Sequence, residues 1–409
     1  MLIERHGFLG GMGTAALVHT ICGLYCLSEE PGAEYANIGF ASEFAERLQN
    51  CGGASAPVRM GRVDVLPHDP VAYASLADDL VRETLNLQTM LHAEIHTVEQ
   101  TDVGWRVHII SRGTRLVLEA AAIVDATGDA TLAHLAGIPT IQTEAALLQR
   151  PAYVFKLCGV TGHLLDDDAR LKLAHAIAFA VRDGGLAKAA LGAGFRKGMH
   201  AGECFITLDL AGESVTSPPY DPTDPACLTE VEQTGRALAV EFVQWLVNRA
   251  EGFQHAWIVA WPTRAGVRES RSVVGQYQLT EDDLLSGHEF EDSIAQAAWP
   301  IELREKPIGP KWIFPTDGKL GMIPLRCIRS AVAQNFFVAG RCLSATHRAQ
   351  GSIRVMGTCM ATGEAAGLAA ASIISDPALA FPHGWTALAA HVRSLRAKLH
   401  SQRKTVPSC

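Results

Sequence analysis

Residues 338–371 read VAGRCLSATHRAQGSIRVMGTCMATGEAAGLAAA, and they carry the clearest structural information in the 409-residue chain. An apolar strand leads into a turn at Gly340, and the helix that follows Gly357 has unusually small faces made mostly of glycine and alanine. Small residues let the backbone of a helix approach a sheet or a flat ring closely. The order of strand, glycine turn and helix is typical of nucleotide-binding folds.

Two arginines in this stretch, Arg341 and Arg354, are candidates for contact with an anion. A guanidinium group stays charged and donates to pairs of oxygen atoms, so either side chain could neutralise a phosphate or an electron-rich ring. Ion pairs at the protein surface are the alternative interpretation.

The N-terminal residues MLIERHGFLGGMGTAALV indicate a second part of the same fold. A short apolar strand, LIE, ends on Glu4 and is followed by a glycine-rich loop. In a dinucleotide-binding fold an acid at this place accepts hydrogen bonds from a ribose, whereas the alternative is an ordinary surface carboxylate. Gly10, Gly11 and Gly13 do not form G-x-G-x-x-G, and their loop either lies against a ligand or is simply flexible.

A third segment, VDATGDA at residues 124–130, combines an apolar strand with Thr127, Gly128 and Asp129. The glycine allows the backbone to come close to a ligand, while the threonine and the aspartate can instead cap the helix that follows. Both interpretations remain open.

A fourth segment, VRESR at residues 267–271, places Arg268 and Arg271 on either side of Glu269. Two arginines a few residues apart can hold the carboxylate of a substrate. They can equally pair with Glu269, and the sequence does not separate these interpretations.

The composition excludes several classes of function. Hydrophobic residues make up 48% and charged residues 19%, and the formal net charge is -8. A negative chain without a long basic run is a poor binder of nucleic acid, and no segment is typical of a secretion signal or a membrane span. The ten cysteines contain no C-x-x-C, so we expect reduced thiols in a cytoplasmic protein and no metal site.

The pattern of predicted strands and helices changes along the chain and predicts three regions, at residues 1–150, 151–266 and 267–409. The first and last regions carry the nucleotide-fold segments described above. The middle region has widely separated strands and one long amphipathic helix, which indicates a mixed α+β insert. The prediction is therefore an α/β protein, with a parallel sheet in a Rossmann-like domain and an inserted substrate domain.

Taken together, these segments resemble the FAD-dependent oxidoreductases grouped with the FAD subunit of heterodisulfide reductase. The matching blocks are LIERHGFLGGMGTAALV, VDATGDA, GVRESRSVVGQYQLTEDDL and the segment at residues 338–371, in the order of that family. The resemblance spans essentially the whole chain and is least specific between residues 149 and 251. It implies a glutathione-reductase-like FAD domain and FAD as the cofactor.

The resemblance also implies roles for individual residues. Glu4 should meet the adenosine ribose, and the Gly357 helix should direct its N-terminus at the flavin, where its partial positive charge favours negative charge. His347 is the candidate for proton transfer, and Arg268 and Arg271 are the candidates for holding the substrate. The expected cofactor-binding residues are Glu4, Arg5, Gly11, Met12, Gly13, Thr14, Thr127, Gly128, Asp129, Gly340, Arg341, Arg354 and Met356.

Two features of the sequence depart from the family pattern. Members of the family have a first strand and a G-x-G-x-x-G turn before LIE, and neither precedes Leu2 here. We therefore expect a sheet that lacks its central first strand, in a chain that starts at an internal methionine of a longer protein or is genuinely split. A [4Fe–4S] cluster follows from the family label alone, because the spacing of the cysteines does not support it.

The sequence thus predicts an FAD-dependent oxidoreductase that passes hydride or electrons between a small organic molecule and the flavin. The alternative is a non-catalytic subunit that holds FAD only when a partner supplies the glycine turn. An electron-transfer partner or a second copy of the chain is a further expectation, whereas nucleic acid and membrane are not expected partners.

Overall fold

The computed structural model describes residues 1–30, 32–161, 167–210, 220–306, 308–380 and 384–404. Within these ranges the α-helices are α1 (Phe40–Asn50), α2 (Pro70–Glu83), α3 (Thr131–Leu135), α4 (Asp167–Arg182), α5 (Pro225–Arg249), α6 (Glu281–Ser286), α7 (His347–Ile353), α8 (Met356–Ser375) and α9 (Trp385–Lys404). The first strands are β1 (Leu2–Ile3), β2 (Thr20–Ile21), β3 (Val58–Met60), β4 (Val63–Pro67), β5 (Thr89–Met90), β6 (Glu94–Thr101), β7 (Gly104–Ser111), β8 (Thr114–Ala120), β9 (Ile123–Asp125) and β10 (Thr140–Gln142). The later strands are β11 (Ala152–Cys158), β12 (Gly194–Lys197), β13 (Cys204–Asp209), β14 (Trp257–Ala260), β15 (Arg271–Val273), β16 (Ser293–Ala297), β17 (Ile301–Leu303), β18 (Lys311–Ile313), β19 (Gly321–Pro324) and β20 (Phe336–Val338).

Local sequence signals explain where the early helices begin. The carboxylate of Asp69 accepts hydrogen bonds from the backbone N–H groups of Val71 and Ala72, at 2.9 and 3.0 Å, and Pro70 occupies the first turn of α2. A capping aspartate followed by proline is the arrangement that starts a helix. These local signals therefore account for the start of α2.

Parallel pairing occurs in two places that the sequence marks as nucleotide-fold segments. Strand β1 pairs with β5, and β9 pairs with β20, both in parallel register. Antiparallel sheets make up much of the remainder, including the three-stranded sheet β6–β7–β8. The mixed α/β class is thus confirmed. In the described part of the chain no strand pairs with both β1 and β9, and the loss of a central first strand stays a prediction.

The middle of the chain forms its own antiparallel sheet, in the order β12–β13–β11–β14. One face of this sheet, with Phe155 and Ile206, belongs to a buried cluster that also contains Phe242 and Leu246 of helix α5. Because side chains alternate along a strand, Val154 and Phe205 lie on the opposite face, which contacts Leu17 and Val18 of the first region. One face of the sheet therefore packs in the core of the middle region, and the other face packs against the first region.

The two ends of this middle region meet. Ala152 and Gly266 form an antiparallel bridge with hydrogen bonds of 2.9 Å (Ala152 N–H to Gly266 C=O) and 2.7 Å (Gly266 N–H to Ala152 C=O). The chain thus leaves the first region and enters the last region at nearly the same point. The boundaries at residues 151 and 266 remain a prediction, with which this bridge is compatible.

Helix α8 shows why its segment is rich in small residues. Ala361, Ala365 and Ala369 are buried in the same cluster as Phe336 and Val338 of strand β20. At the start of the helix, the backbone N–H of Gly357 donates to the carbonyl oxygen of Cys22 at 2.9 Å. A side chain at position 357 would collide with the backbone carbonyl group of Gly23. The backbone of α8 therefore touches the loop after β2 directly.

Replacing Gly357 by alanine should destabilise the protein by about 1–3 kcal/mol, because an added methyl group must displace backbone atoms in a closely packed contact. Gly363→Ala is the matched control in the same helix, since nothing lies within 4 Å of a methyl group there. The control should leave stability unchanged or raise it by about 0.5–1 kcal/mol. Urea unfolding followed by circular dichroism measures both, and equal stabilities for the two variants would contradict the contact.

Candidate functional site

A cavity of about 530 Å³ lies between the second face of the middle sheet and residues from the first and last regions. The middle sheet contributes Val154, Arg196 and Thr207 to its wall. The first region contributes His19, and the last region contributes Arg268 and Glu302. A concave site at such a junction, with an apolar lining and a few charged groups, is typical of a small-molecule site.

One buried carboxylate holds the wall of this cavity together. Asp209, the last residue of β13, is completely buried, and it pairs with Arg268 Nη2 at 2.8 Å and with Arg304 Nη1 at 2.7 Å. Burial lowers the pKa of Arg268 to about 10 despite the attraction of Asp209. Both arginines belong to the last region of the chain, so Asp209 ties the middle sheet to it.

Glu302 on strand β17 extends the same network. Its carboxylate accepts hydrogen bonds from Trp299 Nε1 at 2.9 Å and Arg304 Nε at 2.6 Å, and Arg354 Nη2 lies 4.0 Å away. Burial alone would raise the pKa of Glu302, but Arg304, Arg354 and Arg268 together lower it to about 2. Glu302 therefore stays ionised and compensates buried guanidinium groups.

Positive charge nevertheless exceeds negative charge around the cavity. Among the residues that the structure describes, five arginines line it, whereas Glu302 and the adjoining Asp209 are the carboxylates of the network. Arg354 has a buried Nε without a hydrogen-bond partner in the described ranges, and burial lowers the pKa of its guanidinium group. A cavity with surplus positive charge favours an anionic ligand. The arginines that line it are Arg170, Arg196, Arg268, Arg304 and Arg354.

A second charged cluster surrounds Asp129, outside this cavity. Its carboxylate pairs with Arg341 Nη2 at 2.8 Å and accepts a hydrogen bond from the hydroxyl of Ser270 at 2.7 Å. Arg271 Nε donates to the backbone carbonyl of Asp129 at 3.2 Å. Gly128 has a φ of 77°, and a side chain there would press on the guanidinium group of Arg341. The glycine thus lets Arg341 lie directly over the turn.

Arg264 joins this cluster to the N-terminal strand. Burial and the positive charges of Arg5 and Arg341 lower its pKa to about 10, while Asp129 and Glu4 oppose the shift. Its Nε has no hydrogen-bond partner among the described residues. Guanidinium groups that lie this close together are suited to a multiply charged anion.

His347 lies between two carboxylates. Its Nδ1 is 2.8 Å from Glu269 Oε2, and its Nε2 is 3.0 Å from Glu305 Oε1. Burial would lower the pKa of His347, but the hydrogen bonds and charges of these two carboxylates raise it above the ordinary value. His347 is not part of the cavity wall.

The structure distributes the predicted residues over these places. The cavity wall contains Met12, Arg268, Arg354 and Met356, whereas Arg271 and His347 lie elsewhere. Of the two interpretations of VRESR, internal pairing with Glu269 does not occur: Arg268 contacts Asp209, and Glu269 contacts His347.

Other predicted cofactor residues make local contacts. Glu4 Oε1 accepts from the backbone N–H of His6 at 2.9 Å, and the hydroxyl of Thr14 donates to the carbonyl of Leu9 at 2.8 Å. A side chain at Gly13 would press on Tyr73, whereas Gly11 faces open space. The backbone N–H of Gly340 donates to the hydroxyl of Thr362 at 3.2 Å.

The turn after β9 is capped by a residue that the sequence did not single out. Asp125, not Asp129, accepts hydrogen bonds from the backbone N–H groups of Leu132 and Ala133 in helix α3. The hydroxyl of Thr127 donates to Asp125 at 2.7 Å and accepts from the backbone N–H of Thr131 at 3.1 Å. Thr127 therefore takes part in capping, and Asp129 is left to hold Arg341.

Sequence reasoning missed several charged or polar residues of the cavity. His19, Arg196, Glu302 and Arg304 belong to segments without a motif, and strand pairing and tertiary packing bring them together. The alternation of apolar and polar residues in GFRK and CFITLD was the available signal for the face on which Arg196 lies.

The described ranges contain neither a candidate metal site nor a candidate membrane-spanning helix. No group of three or more His, Cys, Asp or Glu side chains there is arranged to hold a metal ion. No helix in the described part is long and apolar enough to cross a membrane.

The strand pairs and the small-faced helix define an α/β protein in which two groups of arginines lie beside buried carboxylates. The chain belongs to the FAD dependent oxidoreductase family, whose model matches residues 1–380. No curated protein matches the sequence.

Several solved structures are similar to this chain at low identity. They include the Diels-Alderase PyrE3 of pyrroindomycin biosynthesis, with 12% identity, a TM-score of 0.40 and coverage of 98% of this chain and 65% of the other. OxyS anhydrotetracycline hydroxylase from Streptomyces rimosus has 13% identity, a TM-score of 0.41 and coverage of 92% and 62%. The tetracycline destructase Tet(51) has 9% identity, a TM-score of 0.42 and coverage of 99% and 82%. The chain thus spans less than two thirds of the first two structures.

Glu302→Gln should destabilise the protein by about 3–5 kcal/mol, because it leaves buried guanidinium groups without their counter-charge. Glu83→Gln is the control, since Glu83 pairs with Arg47 on the exposed surface. The loss of that surface pair should cost no more than about 1 kcal/mol. Thermal and urea unfolding measure the difference, and similar losses for both variants would show that the buried network contributes little.

The stabilising effect of His347 should depend on pH. Because its folded-state pKa is raised, the charged form stabilises the fold fully below the unfolded-state pKa of about 6.5. This contribution is lost as the pH rises through the higher folded-state pKa. The difference in unfolding free energy between the wild type and His347→Gln should therefore be largest in mild acid and decrease in alkali. A difference that does not change with pH would contradict this assignment.

Proposed function

We propose that this protein is an FAD-dependent oxidoreductase that transfers hydride or electrons between a small organic molecule in the arginine-lined cavity and FAD. The observation that carries the proposal is the cluster in which Arg341 pairs with Asp129 at 2.8 Å, with Arg264 close to both. In this cluster the buried Nε of Arg264 lacks a partner within the described ranges. The family match over residues 1–380 supports the same function.

The residues of this cluster fit the diphosphate and ribose of FAD. Guanidinium groups donate in pairs to phosphate oxygens, so Arg264 and Arg341 would hold the diphosphate. Asp129 keeps Arg341 in place through its 2.8 Å ion pair. Glu4 ends strand β1 and would accept hydrogen bonds from the ribose. When bound, FAD supplies the centre that accepts and donates hydride or electrons.

The cavity residues would bind and orient the organic molecule. Helix α8 begins at Met356 on the cavity wall, and a helix N-terminus carries partial positive charge that favours negative charge on a bound group. Arg268 is held rigidly by Asp209 and is the predicted substrate arginine that reaches the cavity. Apolar side chains such as Val154 and Trp299 exclude water from this space.

We also propose that His347 transfers protons, although its side chain is not part of the cavity wall. Its ring is fixed by Glu269 and Glu305, and Glu269 also accepts from Thr143 Oγ1 at 2.6 Å. Such a chain of hydrogen bonds would move a proton between the protein interior and its surface. Arg271, which contacts the backbone of Asp129, would support the phosphate region instead of the substrate.

The relation to the FAD subunit of heterodisulfide reductase, the cytoplasmic location and an electron-transfer partner also belong to this proposal. The four sequence blocks support the relation. An iron–sulfur cluster is not proposed, because the cysteine spacing does not favour one.

A second candidate is a subunit that holds FAD only together with a partner. The observation that favours it is the pair of separate parallel sheets, β1–β5 and β9–β20, which no described strand joins. A partner that supplied a strand and a glycine turn between them would complete the phosphate site.

The visible absorption spectrum of the purified chain, with and without added FAD, tests the proposal. A flavin spectrum is expected. Arg264→Gln should weaken FAD binding about tenfold or more, since a hydrogen bond to a charged group contributes about 1.5–3 kcal/mol. Arg249→Gln, at an exposed position at the end of α5, is the control and should bind FAD as the wild type does.

Three outcomes separate the alternatives. A folded chain that stays colourless with added FAD would refute the first candidate. FAD binding that requires a co-purified partner would establish the second. Equal affinity of the wild type and Arg264→Gln would remove Arg264 from the phosphate site.

A further inference from the structure

His19 is a buried polar side chain with no evident structural purpose. It is only 4% exposed, it lines the cavity, and neither of its ring nitrogens has a well-formed hydrogen bond in the described part of the chain. Its ring stacks on Phe205 with 3.9 Å between ring centroids and an angle of 9° between the planes. Buried imidazole nitrogens are normally paired, so an unpaired ring on a cavity wall indicates a missing ligand.

Arg196 lies beside this ring on the middle sheet. Strand pairing sets Arg196 directly opposite Phe205, the residue on which His19 stacks. The guanidinium group has no carboxylate partner among the described residues, and its Nη1 donates only to the backbone carbonyl of Phe195 at 2.8 Å. In contrast, Lys156, which also lies opposite Phe205, is already paired with Glu203 at 2.5 Å. Arg196 is therefore the cation of this face that remains available.

The electrostatics of the pair suit an anion. Burial is the main cause that lowers the pKa of His19 to about 3, with His68 and Arg196 acting in the same direction and a backbone hydrogen bond with Leu17 opposing them. The ring is therefore neutral at physiological pH and has one N–H to donate. Burial and Arg170 lower the pKa of Arg196, yet a guanidinium group remains charged. One neutral donor and one forked cationic donor together match the two oxygens of a carboxylate.

We propose that His19 and Arg196 form a subsite that binds the carboxylate of the small organic substrate in this cavity. The rest of the substrate would lie along the apolar wall formed by Val18, Val154 and Trp312. The inference rests on the proposed oxidoreductase function, which it deepens by naming the substrate class. Arg268 and Arg304 are already paired with Asp209 and Glu302, so Arg268 would help to orient the substrate, whereas Arg196 would bind its carboxylate.

Calorimetric titration with benzoate and succinate tests the subsite, and benzamide and succinamide serve as uncharged probes of the same shape. The FAD content of each sample is measured from its absorption spectrum. The wild type should bind at least one carboxylate and neither amide. Arg196→Gln should weaken that binding about tenfold or more, Arg196→Lys should weaken it less, and His19→Gln should weaken it several-fold.

The controls are Lys197→Gln and His200→Gln, which alter exposed residues near the same strand and should leave carboxylate affinity unchanged. All variants should retain the FAD content of the wild type. Equal binding of carboxylates and amides, unchanged affinity in Arg196→Gln, or loss of FAD in that variant would overturn the subsite. A wild type that binds carboxylates but no FAD would instead overturn the oxidoreductase function, so the two failures are distinguishable.

Discussion

The structure depends on the compensation of buried charge around Asp209. This carboxylate comes from the middle sheet, and its partners Arg268 and Arg304 come from the last region of the chain. An ion removed from water must find an opposite charge at close range, because the loss of hydration costs several kcal/mol for each ion. The pairing therefore fixes how the middle sheet lies against the rest, and it fixes the shape of the cavity between them.

The same network determines which positive charges remain free to act on a ligand. Glu302 compensates Arg304 and, at 4.0 Å, contributes to the environment of Arg354. Some guanidinium groups of the cavity wall are therefore fixed by carboxylates, whereas others are free to contact a ligand. In such a cavity, paired arginines make the wall rigid and unpaired arginines attract an anionic ligand. An anion can then bind without a large conformational change in the protein.

Local patterns in the sequence predicted many of the helices and strands, because apolar strands and helix faces made of small residues depend on residues that are close together in the chain. The apolar strand before Gly340 and the alanines of α8 are examples. The site was predicted only in part. Arg354 belongs to a motif, but Arg196 acquires its position from a strand register with Phe205 that no local pattern specifies. Glu269 illustrates the same limit, since its actual partner, His347, is far away in the chain.

The bridge between Ala152 and Gly266 has a consequence for the history of the protein. The chain enters and leaves the middle region at one hydrogen-bonded pair. The middle region can therefore be exchanged as a unit during evolution, while the flanking segments keep their contacts with each other. Under the proposed function, such an exchange would alter the side of the cavity that carries Arg196 and Val154, and it would leave the pair of Arg341 and Asp129 in place.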